Sequence, residues 1–171
     1  MKGNLILTPK NVQVFERTIE MLENSIVEMR QVVNNMIPES LVKFGLNVTL
    51  KEMCEDINNS EKMQINYQSN GIENLFLDQT ISLHVYRIAE QLIKNIIREK
   101  TAKNVELKVV KQDKKMTVII VDDGIGFDTT VLNIKSGIGW NNIRNQIDFL
   151  KGTLDLHSKK EGNLVRIKIA V

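Results

Sequence analysis

The chain has 171 residues, 42% of them hydrophobic, enough for one domain with a real core plus an appendage and too apolar for disorder. Lys plus Arg number 23 against 21 Asp plus Glu, and this near balance argues against a nucleic-acid partner or a polybasic membrane surface. A single cysteine, Cys54, excludes an internal disulfide, and no apolar run approaches the roughly 18 to 20 residues of a membrane span, so a cytoplasmic setting is expected.

Residues 1–10, "MKGNLILTPK", carry no secretory signal and are expected to be a disordered or extraneous start. From there Val12, Phe15, Ile19, Leu22, Ile26, Met29, Val33 and Met36 recur at alternating spacings of three and four, the seam of a heptad repeat. Glu16, Arg17, Glu20, Glu23, Asn24, Glu28 and Arg30 fill the positions between. Residues 11–37 are therefore predicted to form a helix that Pro38 ends. So narrow a stripe needs a partner surface, either its own globular domain or, as the heptad spacing favours, a second copy in a homodimer.

"LNVTLKEMCEDINNS" (46–60) reads as a shorter amphipathic helix with Leu46, Leu50, Met53, Cys54 and Ile57 on one face, which makes Cys54 a core residue rather than a reactive thiol. "MQINYQS" (63–69) alternates as a strand does, and the following Asn-Gly marks a turn. A long helix is predicted over 78–102, its apolar face supplied by Ile81, Val85, Ile88, Leu92 and Ile96. Two strands, "NVELKVVKQ" and "MTVIIVDDG", join through a hairpin at "KQDKK"; a glycine-rich loop, a helix "IGWNNIRNQIDFLKG" and two closing strands, "GTLDLHSKK" and "NLVRIKIAV", complete the chain. Strands joined by short turns predict an α+β fold, a two-layer sandwich of a mixed, mostly antiparallel sheet with helices on one face.

Residues 121–143, "VDDGIGFDTTVLNIKSGIGWNNI", hold four of the nine glycines in two G-x-G pairs. There is no G-x-x-x-x-G-K-[ST], and "GIGWNN" lacks the third glycine of the dinucleotide fingerprint. What remains is a strand delivering Asp122 and Asp123 into Gly124 and Gly126, then Gly137 and Gly139 opening a helix. A buried carboxylate can accept from an exocyclic amine, and a glycine-rich helix start offers free N–H groups to phosphate. Those are the two ends of a nucleotide, although the same glycines could serve turn geometry alone.

Asn95 in "RIAEQLIKNIIREK", then "DDGIGF", then "GIGWNNI" resemble the N, G1 and G2 boxes of the GHKL ATPase superfamily, in order and in the same strand context. The nearest resemblance is to catalytic domains of bacterial sensor histidine kinases, and "MIPESLVKFGLNVTLKEMCEDI" resembles the joining segment of the NarL-type subfamily. The resemblance covers residues 12–171 and implies the Bergerat sandwich for an ATP-binding catalytic domain over 38–171, preceded by a dimerisation helix at 11–37. It implies that Asp122 binds the adenine amine, with Gly124 and Gly126 letting the nucleotide lie against the backbone. It implies further that Asn95 coordinates Mg2+ bridging the phosphates of ATP and that Arg98 touches phosphate. Gly137 and Gly139 would hinge an ATP lid over 127–136, in which Lys135 is a candidate phosphate ligand, and Asn142 matches the asparagine of the following helix.

Four departures stand beside this resemblance. Gln91 occupies the position where the family usually has Glu four residues before the metal-binding Asn, and Glu90 points about 100° away from it. An amide is no base at neutral pH, so the two catalytic candidates, Gln91 and Asn95, differ from the family pair. Glu99 stands where relatives commonly carry His, and Asn163 where a Thr usually follows glycine. The heptad helix contains no histidine, and neither His84 nor His157 sits where a phosphoacceptor would. The expected function is ATP-dependent phosphoryl transfer to a histidine outside this chain, for onward transfer to a response regulator, as part of a longer protein whose upstream region could reach a membrane. The alternative is a catalytically weak nucleotide-binding and dimerisation module.

Overall fold

The computed structural model describes residues 12, 15–23, 25, 37–60, 63–73, 75, 77–125, 138–159 and 162–171, and the chain divides into two compact units, Met1–Ile37 and Pro38–Val171. In the first unit residues 12, 15–23 and 25 are helical, and Val12, Phe15, Ile19 and Leu22 of the seam are exposed in the single chain. The later seam positions Ile26, Met29, Val33 and Met36 lie outside the described residues. No helix among the described residues is long and apolar enough to cross a membrane.

The second unit begins with α1, Glu39–Ser60, which is longer than the helix read from sequence. Its two halves meet at Gly45, whose φ of 79° and ψ of 179° interrupt the helix, a conformation that glycine adopts without steric cost. Leu41 anchors the first half, and Leu46, Leu50 and Cys54 bury the second half. Strand β1, Gln64–Asn70, follows, then α2, Gln79–Glu99, β2, Asn104–Gln112, and β3, Lys115–Asp122. Helix α3, Ile138–Phe149, and strands β4, Thr153–Lys159, and β5, Gly162–Ala170, complete the unit.

Helix α2 starts where the side chain of Asp78 accepts from the backbone N–H of Thr80 and Ile81 at 2.8 and 3.1 Å. It stops short of the predicted 102 because Lys100 turns left-handed, at φ 55°, and returns its N–H to the carbonyls of Ile96 and Ile97. The sheet has the order β1-β2-β3-β5-β4, with β1 parallel to β2 and the other pairs antiparallel. The β2–β3 hairpin turns at Asp113, φ 54°, as the "KQDKK" segment predicts. The outer edge of β1 is partly covered by Asn58 of α1, which exchanges two hydrogen bonds with the Ile65 backbone, so the sheet does not present a bare ladder there.

Alternation sorts the strands into two faces. Val105, Leu107 and Val109 of β2, Met116, Val118 and Ile120 of β3, and Val165, Ile167 and Ile169 of β5 are buried, while the residues between them are half-exposed or, at Lys168, exposed. Against that face pack Val85, Ile88, Ala89, Leu92 and Ile93 of α2, Ile143 and Ile147 of α3, and the buried face of α1. The core is one continuous layer between three helices and five strands, the α+β architecture that the element order predicts.

Candidate functional site

Asn95 and Asp122 are two of the five buried polar or charged residues among the described ones. On α2 the buried positions run Val85, Ile88, Ala89, Leu92, Ile93 and then Asn95, only 6% exposed, so helical periodicity carries an amide into the core. On β3 the inward positions Met116, Val118 and Ile120 are followed by Asp122, 7% exposed, so strand periodicity carries a carboxylate to the same face. Asp123, one residue on, faces out. Its carboxylate accepts from the backbone N–H of Lys103 and Asn104 and from the Asn104 side chain at 2.7 to 2.9 Å, which fastens the end of β3 to the start of β2.

Asp122 Oδ1 accepts from the Gly124 N–H at 3.0 Å and from Asn163 Nδ2 at 2.9 Å. Asn163 lies directly across the β3–β5 ladder from it, is itself buried, and accepts from the Ser158 hydroxyl at 2.6 Å. Glycine at 124 has a local cause: a Cβ would come within 2.7 Å of Thr101 Oγ1 and 2.9 Å of Asp122 Oδ1. The chain therefore turns tightly around its own carboxylate. This polar chain from Ser158 through Asn163 to Asp122 is the part of the site that sequence reasoning missed; Asn163 stood out there only as an unusual residue, and its role follows from strand register.

A second cluster forms around Asn95. Its Oδ1 accepts from Gln91 Nε2 at 3.2 Å and from Arg98 Nη2 at 3.3 Å, one helical turn to either side. Its Nδ2 is buried without a partner among the described residues. Gly139, in the first turn of α3, rests on this pair, where an added Cβ would stand 3.1 Å from Asn95 Oδ1 and 3.2 Å from Gln91 Nε2.

A cavity of about 20 Å3 joins the two clusters, lined by Asn95 and Glu99 of α2, Asp122, Asn163, Trp140 and the apolar side chains of Leu92, Ile96, Ile120 and Val165. That is room for about one water, so any purine would have to open it. A larger groove of about 290 Å3 runs along a different face of α2, against α1, and contains none of these residues. Of the remaining predicted residues, Asn142 is exposed in α3, and Gly126, Lys135 and Gly137 lie outside the described residues. His84, at the other end of α2, bonds Gln146 of α3 through Nδ1 and stacks on Phe149 with ring centroids 4.1 Å apart.

Among the described residues no group of three or more His, Cys, Asp or Glu could hold a metal by itself. The Asn95 amide is the one buried oxygen donor suited to a hard cation on α2, and a Mg2+ ion would need phosphate oxygens and water to complete its shell. The donor set therefore fits a cation that arrives with a nucleotide. Among the described residues it makes no metal site of its own.

No family model matches the chain. It is 24% identical over 153 residues, 89% of its length, to the signal transduction histidine-protein kinase/phosphatase DegS of Brevibacillus brevis. It is 23% identical over 149 residues, 86% of its length, to the sensor histidine kinase MctS of Rhizobium johnstonii. The fold matches the histidine kinase domain of the blue-light activated histidine kinase of Erythrobacter litoralis EL346, with a TM-score of 0.63 at 17% identity over 73% of this chain and 60% of that one. The chain is similar in sequence to sensor histidine kinases and has the fold of a histidine kinase domain. The Acinetobacter baumannii histidine kinase AdeS shares the histidine kinase fold over 98% of this chain and 87% of its own, with a TM-score of 0.61 at 15% identity. The present chain spans only 39% and 32% of the two histidine kinase sequences it matches.

Proposed function

We propose that residues 38–171 are the ATP-binding catalytic domain of a sensor histidine kinase, and that it passes the γ-phosphoryl group of ATP to a histidine outside this chain. A response regulator, of the NarL type by the resemblance of the joining segment, then receives it, in the cytoplasm and from a homodimer held through residues 11–37. The observation that carries this reading is Asp122: a buried carboxylate whose Oδ1 is taken by two N–H donors while its other oxygen has no partner among the described residues and can accept from a base. It lines one cavity with Asn95, as a base site and a phosphate site must adjoin.

In this reading the purine amine donates to Asp122, and the apolar side chains of Ile120, Val165 and Leu92 flank the ring. Asn95 Oδ1 holds the cation, Arg98 and Lys135 meet phosphate oxygens, and Gly124, Gly126, Gly137, Gly139 and Asn142 shape the backbone around the nucleotide. Bound Mg2+ supplies charge neutralisation for phosphoryl transfer, which asks the protein mainly for positioning. Glu99, at the rim of the same cavity, opposes the triphosphate, and Arg98 offsets it.

Calorimetry with a non-hydrolysable ATP analogue and Mg2+ tests the assignment. The native chain is expected to bind in the micromolar range, and Asp122→Asn to bind about ten- to a hundredfold more weakly, the loss of a charge-assisted hydrogen bond. Absence of binding to the folded native chain sinks the proposal. A second reading, a module that binds nucleotide but transfers phosphate poorly, is favoured by Gln91 in the place of a base. Phosphorylation of a chain extended upstream to include an acceptor histidine separates the two.

A further inference from the structure

Asn95 presents its amide with the oxygen engaged and the nitrogen idle. Oδ1 accepts from Gln91 and Arg98, while Nδ2 is buried with no acceptor among the described residues. Folded proteins seldom leave a buried amide N–H unpaired without a use for it. Of the two neighbours, Arg98 can only donate, whereas a glutamine amide can also accept. If both amides turn over about their terminal bonds, Asn95 Nδ2 donates to Gln91 Oε1 along the line of the present contact. Asn95 Oδ1 then takes the place of the idle nitrogen.

We propose that Gln91 is a positioning residue that gates the cation site through this paired flip. In the orientation seen here the Asn95 oxygen is closed to a cation by two donors; in the flipped orientation it carries neither donor and can ligate the divalent cation of a nucleoside triphosphate once the cavity opens to admit it. The gate rests on the nucleotide reading given above. An ionised glutamate at this position could only accept, and would hold Asn95 permanently in the open orientation. Glutamine allows both orientations.

Two neighbours are linked to the flip. After it, Arg98 faces a donor on Asn95 instead of an acceptor; its exposed guanidinium is thereby released toward phosphate. Gly139 covers both amides at a distance that a methyl group would shorten to 3.1 and 3.2 Å, so the first turn of α3 sets the room in which the amides turn. Whatever moves that turn opens or closes the cation site.

Side-chain amide 1H–15N spectra of the full chain test the gate, with the Gln91 and Asn95 signals assigned from Gln91→Glu and Asn95→Asp. On addition of a non-hydrolysable ATP analogue with Mg2+, the Asn95 amide protons are expected to move downfield as they gain an acceptor, and those of Gln91 upfield as they lose theirs. In parallel, the ratio of nucleotide Kd in EDTA to Kd in Mg2+ is expected to rise about tenfold in Gln91→Glu, the size typical of residues that orient a metal ligand. If Trp140 fluorescence reports Mg2+-nucleotide binding while the Asn95 amide signals stay in place, the gate is wrong and the nucleotide site stands. An unchanged ratio in Gln91→Glu has the same meaning. No binding with either Mg2+ or EDTA overturns both.

Discussion

Asp122 closes β3 and Asp123 follows it, and the two neighbouring carboxylates turn to opposite sides. Asp122 turns into the core, and Asp123 turns out to tie down the start of β2. The Asp123 carboxyl is held below the usual carboxylate range, first by the backbone N–H of Asn104 and then by that residue's side chain. A depressed folded value stabilises the protein above the unfolded value of about 3.9, and that contribution is lost as pH falls through the folded one. Thermal melts of Asp123→Asn are thus expected to lie below those of the native chain at neutral pH and to converge with them as the carboxyl protonates. Cys54 shows the opposite effect: burial, with the neighbouring Glu55 charge, pushes its thiol up to about 12, which fits the core role read from its place in the α1 pattern.

At the scale of elements, α3 is held differently at its two ends. Near its C-terminus Gln146 and Phe149 are fixed to α2 through His84, while its first turn rests on the Asn95 and Gln91 amides only through a glycine. The half-buried His84 imidazole links the two helices. His84→Ala is expected to cost about 1 to 3 kcal/mol in urea unfolding, the sum of one ring contact and one hydrogen bond, and to speed amide exchange in the last turn of α3. Asn95 stood out in the sequence through the motif resemblance and Asp122 as a carboxylate ahead of the first glycine pair; that both are buried follows from helix and strand periodicity. Asn163 was not legible as a partner, since its bond to Asp122 spans 41 residues and depends on which strands pair. The first half of α1 was missed because Gly45 reads as a stop, whereas here it bends one helix into two segments. For Gly124 and Gly139 the structure adds what an added Cβ would meet, Thr101 and Asp122 at the first and the Asn95 and Gln91 amides at the second.

For the whole molecule, the second unit contains a complete core of its own, so a chain beginning at Pro38 is expected to fold by itself. If the heptad stripe pairs two copies, sedimentation will find the full chain dimeric and the chain from Pro38 monomeric; equal masses for both would place dimerisation elsewhere or deny it. The element order was readable because β2, β3 and β5 alternate and α2 has a clear start at Asp78 and stop at Lys100. The closed cavity between α2, α3 and the sheet has a consequence for how such a domain would respond to its cell. If only a small fraction of molecules is open at any moment, the observed affinity for nucleotide is the intrinsic affinity reduced by that fraction. A distant event that never touches the nucleotide could then raise occupancy at constant ATP simply by changing how often the cavity opens, so that the domain reads out a conformational equilibrium rather than an energy supply.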